Sequence, residues 1–180
     1  MTYMPRSRTT DQRFYGVFEG LVTRVDDPLN EGRVKLTYPW FNEKMESDWA
    51  PIMQFFAGPK HGSFFIPEQH SLVLCAARHG DLHKPVVLGG LYNGKDKPHS
   101  DHVRKREIAS VNGHKITFID SNGSSKGGIV IEDASGSKVI LSSTGDVTIK
   151  AQGSLTLEGA AIRLRGIGYN RVVTPNNNPV

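Results

Sequence analysis

Lys138-Val139-Ile140-Leu141, Asp146-Val147-Thr148-Ile149-Lys150, Ser154-Leu155-Thr156-Leu157-Glu158 and Ala161-Ile162-Arg163-Leu164-Arg165 decide how this chain is read. Each segment is short, most alternate apolar with polar residues as half-buried strands do, and turn-forming Gly, Ser or Asp separates them. Val139, Val147 and Leu155 are eight residues apart, as are Gly145 and Gly153, and the last step, Leu155 to Ile162, shortens to seven. That is an internal repeat of about one strand per period. Strands this short offer two apolar side chains each: Val139 and Leu141, Val147 and Ile149, Leu155 and Leu157, Ile162 and Leu164. One chain cannot close a core from them, and their edges invite unwanted pairing. If three copies wind about one axis, each apolar residue meets its symmetry mates. Each is worth roughly 1.5–3 kcal/mol when fully buried, so the trimer gains far more than the monomer. The repeat therefore predicts an obligate homotrimer, an intertwined β-helix or β-prism, with these eight residues as its core. A monomeric sandwich or single-chain solenoid is the alternative, but solenoid coils usually run to roughly 20 residues or more.

Working back from the repeat, Lys115 to Asp120 and Gly128 to Glu132 read as two further strands. Residues 94–110 carry charge, Pro and His with little apolar content, and read as a linker. Upstream, strand signals recur at Tyr15–Val25, Arg33–Tyr38, Ser47–Met53, Leu72–Ala77 and Pro85–Leu91. Five strands without a helical period suit a small closed barrel, of which the OB-fold is the commonest form. The expected class is all-β: a flexible arm over 1–12, an OB barrel over 13–93, a linker over 94–110, a trimeric β-helix over 111–166 and a tip over 167–180. Gly166, Ile167, Gly168 and Tyr169 end the repeat and mark the tip.

Composition narrows the function. Hydrophobic residues make up 37% of 180, with 19 Gly and 10 Pro, which fits many short strands around a thin core. The net charge of +4 gathers into no basic stripe, and aromatics do not interleave with basic residues, so nucleic-acid binding is not expected. No apolar run approaches the roughly 18 residues of a membrane helix, and the polar N-terminus does not read as a secretory signal. The single cysteine, Cys75, sits in an apolar run and reads as a small buried hydrophobe of a reducing compartment.

Chemical motifs fall short one by one. Gly89-Gly90-Leu91-Tyr92-Asn93-Gly94-Lys95-Asp96 nearly fits a phosphate-binding loop, but Asp96 stands where Ser or Thr must be, and Pro98 follows. His79 and His83 have the spacing of a helical zinc motif without its Glu, and Gly80 and Pro85 oppose the helix. His99 and His102 form a second loop pair; one axial His from each of three chains would keep a metal open, yet none is expected. Asp120-Ser121-Asn122-Gly123-Ser124 lacks the acidic spacing of a calcium loop. No nucleophile elbow or carboxylate pair appears, so neither catalysis, a cofactor nor a small-molecule substrate is expected.

Gly20-Leu21-Val22-Thr23-Arg24-Val25-Asp26-Asp27-Pro28, Gly32-Arg33-Val34-Lys35-Leu36, Tyr38-Pro39-Trp40, Ser47-Asp48-Trp49-Ala50-Pro51, Gly62-Ser63-Phe64-Phe65-Ile66-Pro67-Glu68 and Pro85 to Lys95 follow one another over about 80 residues. Together they resemble the OB-fold of phage baseplate spike proteins, the baseplate assembly protein V family, and its relatives in the type VI secretion spike VgrG. The chain departs from the family at His70-Ser71, where Gly-Asp often stands, and lacks an apical His-x-His iron motif, its last histidine being His114. The resemblance implies an OB barrel followed by a trimeric β-helix. Trp40, Trp49, Phe64 and Phe65 then face the surrounding hub or fill the barrel core. It also implies tail hub and baseplate partners, a PAAR-like tip protein at the C-terminal end and transient contact with a host envelope. The expected place is the tail baseplate of a virion assembled in the bacterial cytoplasm. A phage-derived bacteriocin, an extracellular injection system and a type VI spike share this pattern; an OB-fold nucleic-acid-binding module and a cell-wall hydrolase are rivals of other classes.

Overall fold

The structure, a computed structural model, describes residues 13–100, 102–120, 127–166 and 169–173. The chain divides into two compact units, Met1–Lys97 and Pro98–Val180. Every regular element among the described residues is a strand.

In the first unit β1 (Val17–Arg24) lies between β2 (Lys35–Tyr38) and β6 (Leu72–Arg78). Strands β3 (Asn42–Glu46) and β7 (Asp81–Gly90) flank them, giving an antiparallel sheet in the order β3-β2-β1-β6-β7. Two tiny strands, β4 (Ala57–Gly58) and β5 (His61–Gly62), form a separate hairpin. The sheet closes through the segment after β3. Asp48 N donates to His83 O at 2.8 Å, Met53 N to Val87 O at 2.8 Å and Val87 N to Pro51 O at 3.0 Å. Ala50 also bridges back to Val34.

Ser47–Met53, expected as a ladder strand, is thus a bridging segment with isolated pairings. Its Asp48, Pro51 and irregular course limit regular pairing. The strand next to β2 is instead Asn42–Glu46, which shows no apolar alternation. Cross-strand polar contacts hold it: Lys35 Nζ to Glu46 at 2.8 Å and Thr23 Oγ1 donating to Glu46 at 3.0 Å.

Alternation along β1, β2, β6 and β7 sends Val22, Leu36, Tyr38, Val73, Cys75, Leu82 and Val87 inward, where Val34 and Ala50 join them in one buried cluster. Tyr38 is fully buried, and its hydroxyl donates to Leu82 O at 2.7 Å. Burial pushes the Cys75 thiol up to about 12. The turn at His70-Ser71 forms with His70 in the left-handed region at φ 71°, a conformation glycine would adopt at lower cost.

The loop from β1 to β2 is organised by Asp27. Its carboxylate accepts from the backbone N–H groups of Leu29, Glu31 and Arg33 and from the Arg33 guanidinium at 2.8 Å. The Arg33 guanidinium holds the Asp27 carboxyl well below the usual carboxylate range.

The second unit is an antiparallel meander. Strands β8 (Lys105–Ala109), β9 (Lys115–Asp120), β10 (Gly127–Glu132), β11 (Lys138–Ser142) and β12 (Val147–Lys150) pair in chain order. A separate hairpin joins β13 (Ile162–Gly166) to β14 (Tyr169–Val173). Gly127 enters β10 at φ +86°, and a Cβ there would lie 1.8 Å from Ile119 O. Only glycine fits.

Three readings change. Lys105–Ala109, inside the expected linker, is a strand because it finds Lys115–Ile119 across a tight turn. Tyr169–Val173, inside the expected tip, is a strand because it folds back on β13. Ser154–Glu158 alternates but is not a strand, since no described segment of its own chain lies beside it to complete a ladder. Ile167 and Gly168, the expected arm over 1–12 and residues 174–180 lie outside the described residues.

Candidate functional site

The meander's register brings apolar side chains onto one face. Directly opposed residues in an antiparallel pair share a face. The pairs Ile108–Ile116, Ile116–Ile131, Ile131–Val139 and Val139–Ile149 therefore form one row across all five strands. Phe118–Ile129, Ile129–Leu141 and Leu141–Val147 form a second row beside it. Among the described residues of the unit these rows stay partly open to water. Val147 is 63% exposed, Ile149 56%, Ile131 47% and Leu141 42%.

The other face is polar at its ends: Lys115, Glu132, Lys138 and Lys150 align, with Lys115 and Glu132 paired at 3.5 Å. Glu107 also points there. Its carboxylate accepts from Thr117 Oγ1 at 2.9 Å and meets His99 Nδ1 at 2.5 Å. The Thr117 hydroxyl, with His99 and Lys115, holds Glu107 below its ordinary range. An apolar sheet face left this open to water gains free energy when a partner surface covers it.

Of the residues expected in a trimer core, Val139, Leu141, Val147 and Ile149 lie on this face. Leu155 and Leu157 are exposed outside any strand, while Ile162 and Leu164 lie on β13, the first half-buried and the second exposed. The structure adds Ile108, Ile116, Phe118, Ile129 and Ile131. The alternation Ile116-Thr117-Phe118 and Ile129-Val130-Ile131 signals their strands; only pairing shows that they share a face with Val139 and Leu141. Gly166 and Tyr169 pair across the last hairpin.

None of the four aromatics expected to face a hub or fill the barrel belongs to the buried cluster. Trp40 is half exposed, packs against Phe14 and Phe41, and donates its indole N–H to Glu19 O at 2.7 Å. Trp49 is half-buried, with the Arg24 and Lys35 cations over its ring at 5.4 and 5.8 Å. Phe64 and Phe65 project from the segment around β4 and β5. Among the described residues no group of three His, Cys, Asp or Glu could hold a metal ion.

Residues 18–92 match the family described as the type VI secretion system/phage-baseplate injector OB domain. The chain is also 36% identical over 69 residues to the type VI secretion system spike protein VgrG3 of Vibrio cholerae serotype O1. That similarity covers 36% of this chain and 7% of the relative, so the chain spans only a small part of it. The likeness to an injector OB domain thus lies within the first unit, and the two similarities support a structural role in a spike or baseplate.

Proposed function

We propose that this chain, with its injector OB domain over residues 18–92, is the central spike of a phage contractile-tail baseplate and acts as a homotrimer without enzymatic activity. The observation that carries this reading is the uncovered apolar face running from Ile108 to Ile149 across five strands. Three such faces turned toward one axis bury their rows against each other and form the core of a β-prism needle. Their charged faces turn to water. The OB domains form a threefold collar that meets the tail-tube hub and baseplate proteins, and the C-terminal end is capped or receives a PAAR-like tip protein.

When the sheath contracts, the needle is driven through the host envelope as a rigid body. It bends little because each chain's exposed strands are fixed by two neighbours. The same mechanics serve a phage-derived bacteriocin, an extracellular injection system or a type VI apparatus. Light scattering on the purified protein tests the assembly: a mass about three times 19.8 kDa is expected. A well-folded single chain at micromolar concentration overturns the reading.

A further inference from the structure

Met53-Gln54-Phe55-Phe56-Ala57-Gly58-Pro59-Lys60-His61-Gly62-Ser63-Phe64-Phe65-Ile66 holds four of the chain's eight Phe and no carboxylate. In a segment this short, that much exposed aromatic surface is costly in water unless something covers it. Phe55 is 86% exposed, Phe64 75%, Met53 61% and Phe56 60%.

The segment is nonetheless built. Ser63 N donates to Phe56 O at 3.0 Å across the β4–β5 hairpin. The Gln54 side chain clamps the base: its amide donates to Phe65 O and its oxygen accepts from Phe65 N, each at 3.2 Å. Ser63 Oγ accepts from Phe55 N at 3.1 Å and donates to Gln54 at 3.2 Å. Phe55 and Phe65 meet edge to face with centroids 5.9 Å apart. An apolar protrusion held in place by its own hydrogen bonds loses little entropy when it docks.

The tip carries a second signal. Lys60 occupies the left-handed region at φ 64°, a strained backbone state for lysine that persists where the surroundings impose it. His61 stacks against Phe56 with centroids 6.4 Å apart. The turn thus sets a lysine at the end of the hairpin. A loop that enters a lipid surface carries apolar residues at its tip and basic residues on its flanks. Here the order is reversed, with aromatic flanks and a basic tip.

We infer that residues 53–66 are a docking hairpin that lies lengthwise in an apolar cleft of another protein of the same assembly, the cleft ending in carboxylates that meet Lys60. The partner follows from charge: the hairpin offers aromatic flanks and a lysine at its tip, with no acid in the segment to compensate it, so the complementary surface is apolar and acidic at its end. The inference rests on the baseplate reading and names the part of the OB domain that holds the spike to its neighbour.

A benzophenone photo-crosslinker in place of Phe55, irradiated in assembled particles and mapped by mass spectrometry, tests it. The expected product joins Phe55 to a peptide of a different structural protein that carries Asp or Glu. Lys60→Glu is expected to lower the crosslink yield at least tenfold, and Lys60→Arg to leave it within twofold. Phe55→Ser with Phe56→Ser should lower spike incorporation at least tenfold while leaving the urea midpoint of the purified protein unchanged. Crosslinks only to a second copy or to lipid, a partner peptide without an acid, an unchanged yield in Lys60→Glu, or no crosslink in particles that contain the spike overturns the docking hairpin alone. Absence of the wild-type chain from purified particles overturns the baseplate reading, and this inference with it.

Discussion

Val147→Ala tests the proposed assembly face directly. Val147 lies opposite Leu141 on β12, the last strand of the meander, and 63% of it is open to water in the single chain. Alanine removes two carbons, each worth about 0.8 kcal/mol when taken out of water. With 63% of the residue left for partners to cover, about 1 kcal/mol per chain, and about 3 kcal/mol per trimer, depends on assembly. That is roughly a hundredfold in the trimer equilibrium constant at 1.4 kcal/mol per tenfold. Because dissociation of a trimer scales with the square of concentration, the midpoint moves about tenfold. The isolated chain should not notice, since an exposed substitution shifts stability by about 0.5 kcal/mol or less. A dilution series followed by light scattering reads the midpoint for both proteins, and Val147→Asp, which places three carboxylates in the covered face, should give single chains throughout. Equal midpoints for wild type and Val147→Ala would falsify the assignment of this face to assembly.

Three further outcomes test the units separately. Asp27→Asn should change how acid affects the first unit. The folded carboxyl sits below its ordinary range beside Arg33, so its contribution is complete above that range and is lost as pH falls through it. Wild type should therefore lose melting temperature below about pH 4, while the variant starts lower and falls less steeply, Asp26 and Glu46 still titrating; parallel curves would sink the argument. Tyr38→Phe leaves the buried Leu82 carbonyl without its donor and should cost about 1–2 kcal/mol, read as a lower urea midpoint at unchanged slope. Gly127→Ala must force β9 from β10 to clear the Ile119 carbonyl; faster amide exchange across Lys115–Asp120 is expected, and unchanged protection would show that the close approach is not obligatory.

The strands with a buried face were legible where burial leaves a period-two trace, as where Leu36 and Tyr38 alternate with Lys35 and Thr37. Asn42–Glu46 left no such trace, since its partners are a lysine and a threonine at the sheet's polar side. Ser154–Glu158 shows the converse, because alternation states which side a strand would bury but not whether another strand is there to pair with. The apolar face of the meander was half visible. Its C-terminal rows came from the repeat, but Ile108 and Ile116 joined it only through pairing, as a charged neighbourhood hid β8. Phe64 and Phe65 were singled out as aromatics, yet their projection depends on Gln54 and Ser63 side-chain bonds that no pattern of hydrophobicity encodes.

In the meander every ladder joins strands adjacent in the chain, through connections of only a few residues for the most part. Such wiring keeps contact order low, so each copy can zip its sheet together soon after synthesis, before it meets another. It also makes length an adjustable quantity. A strand and turn added or removed at the β12 end disturbs one seam and leaves the other pairings intact, so the breadth of the sheet can drift strand by strand over evolution while its remaining ladders stay unchanged.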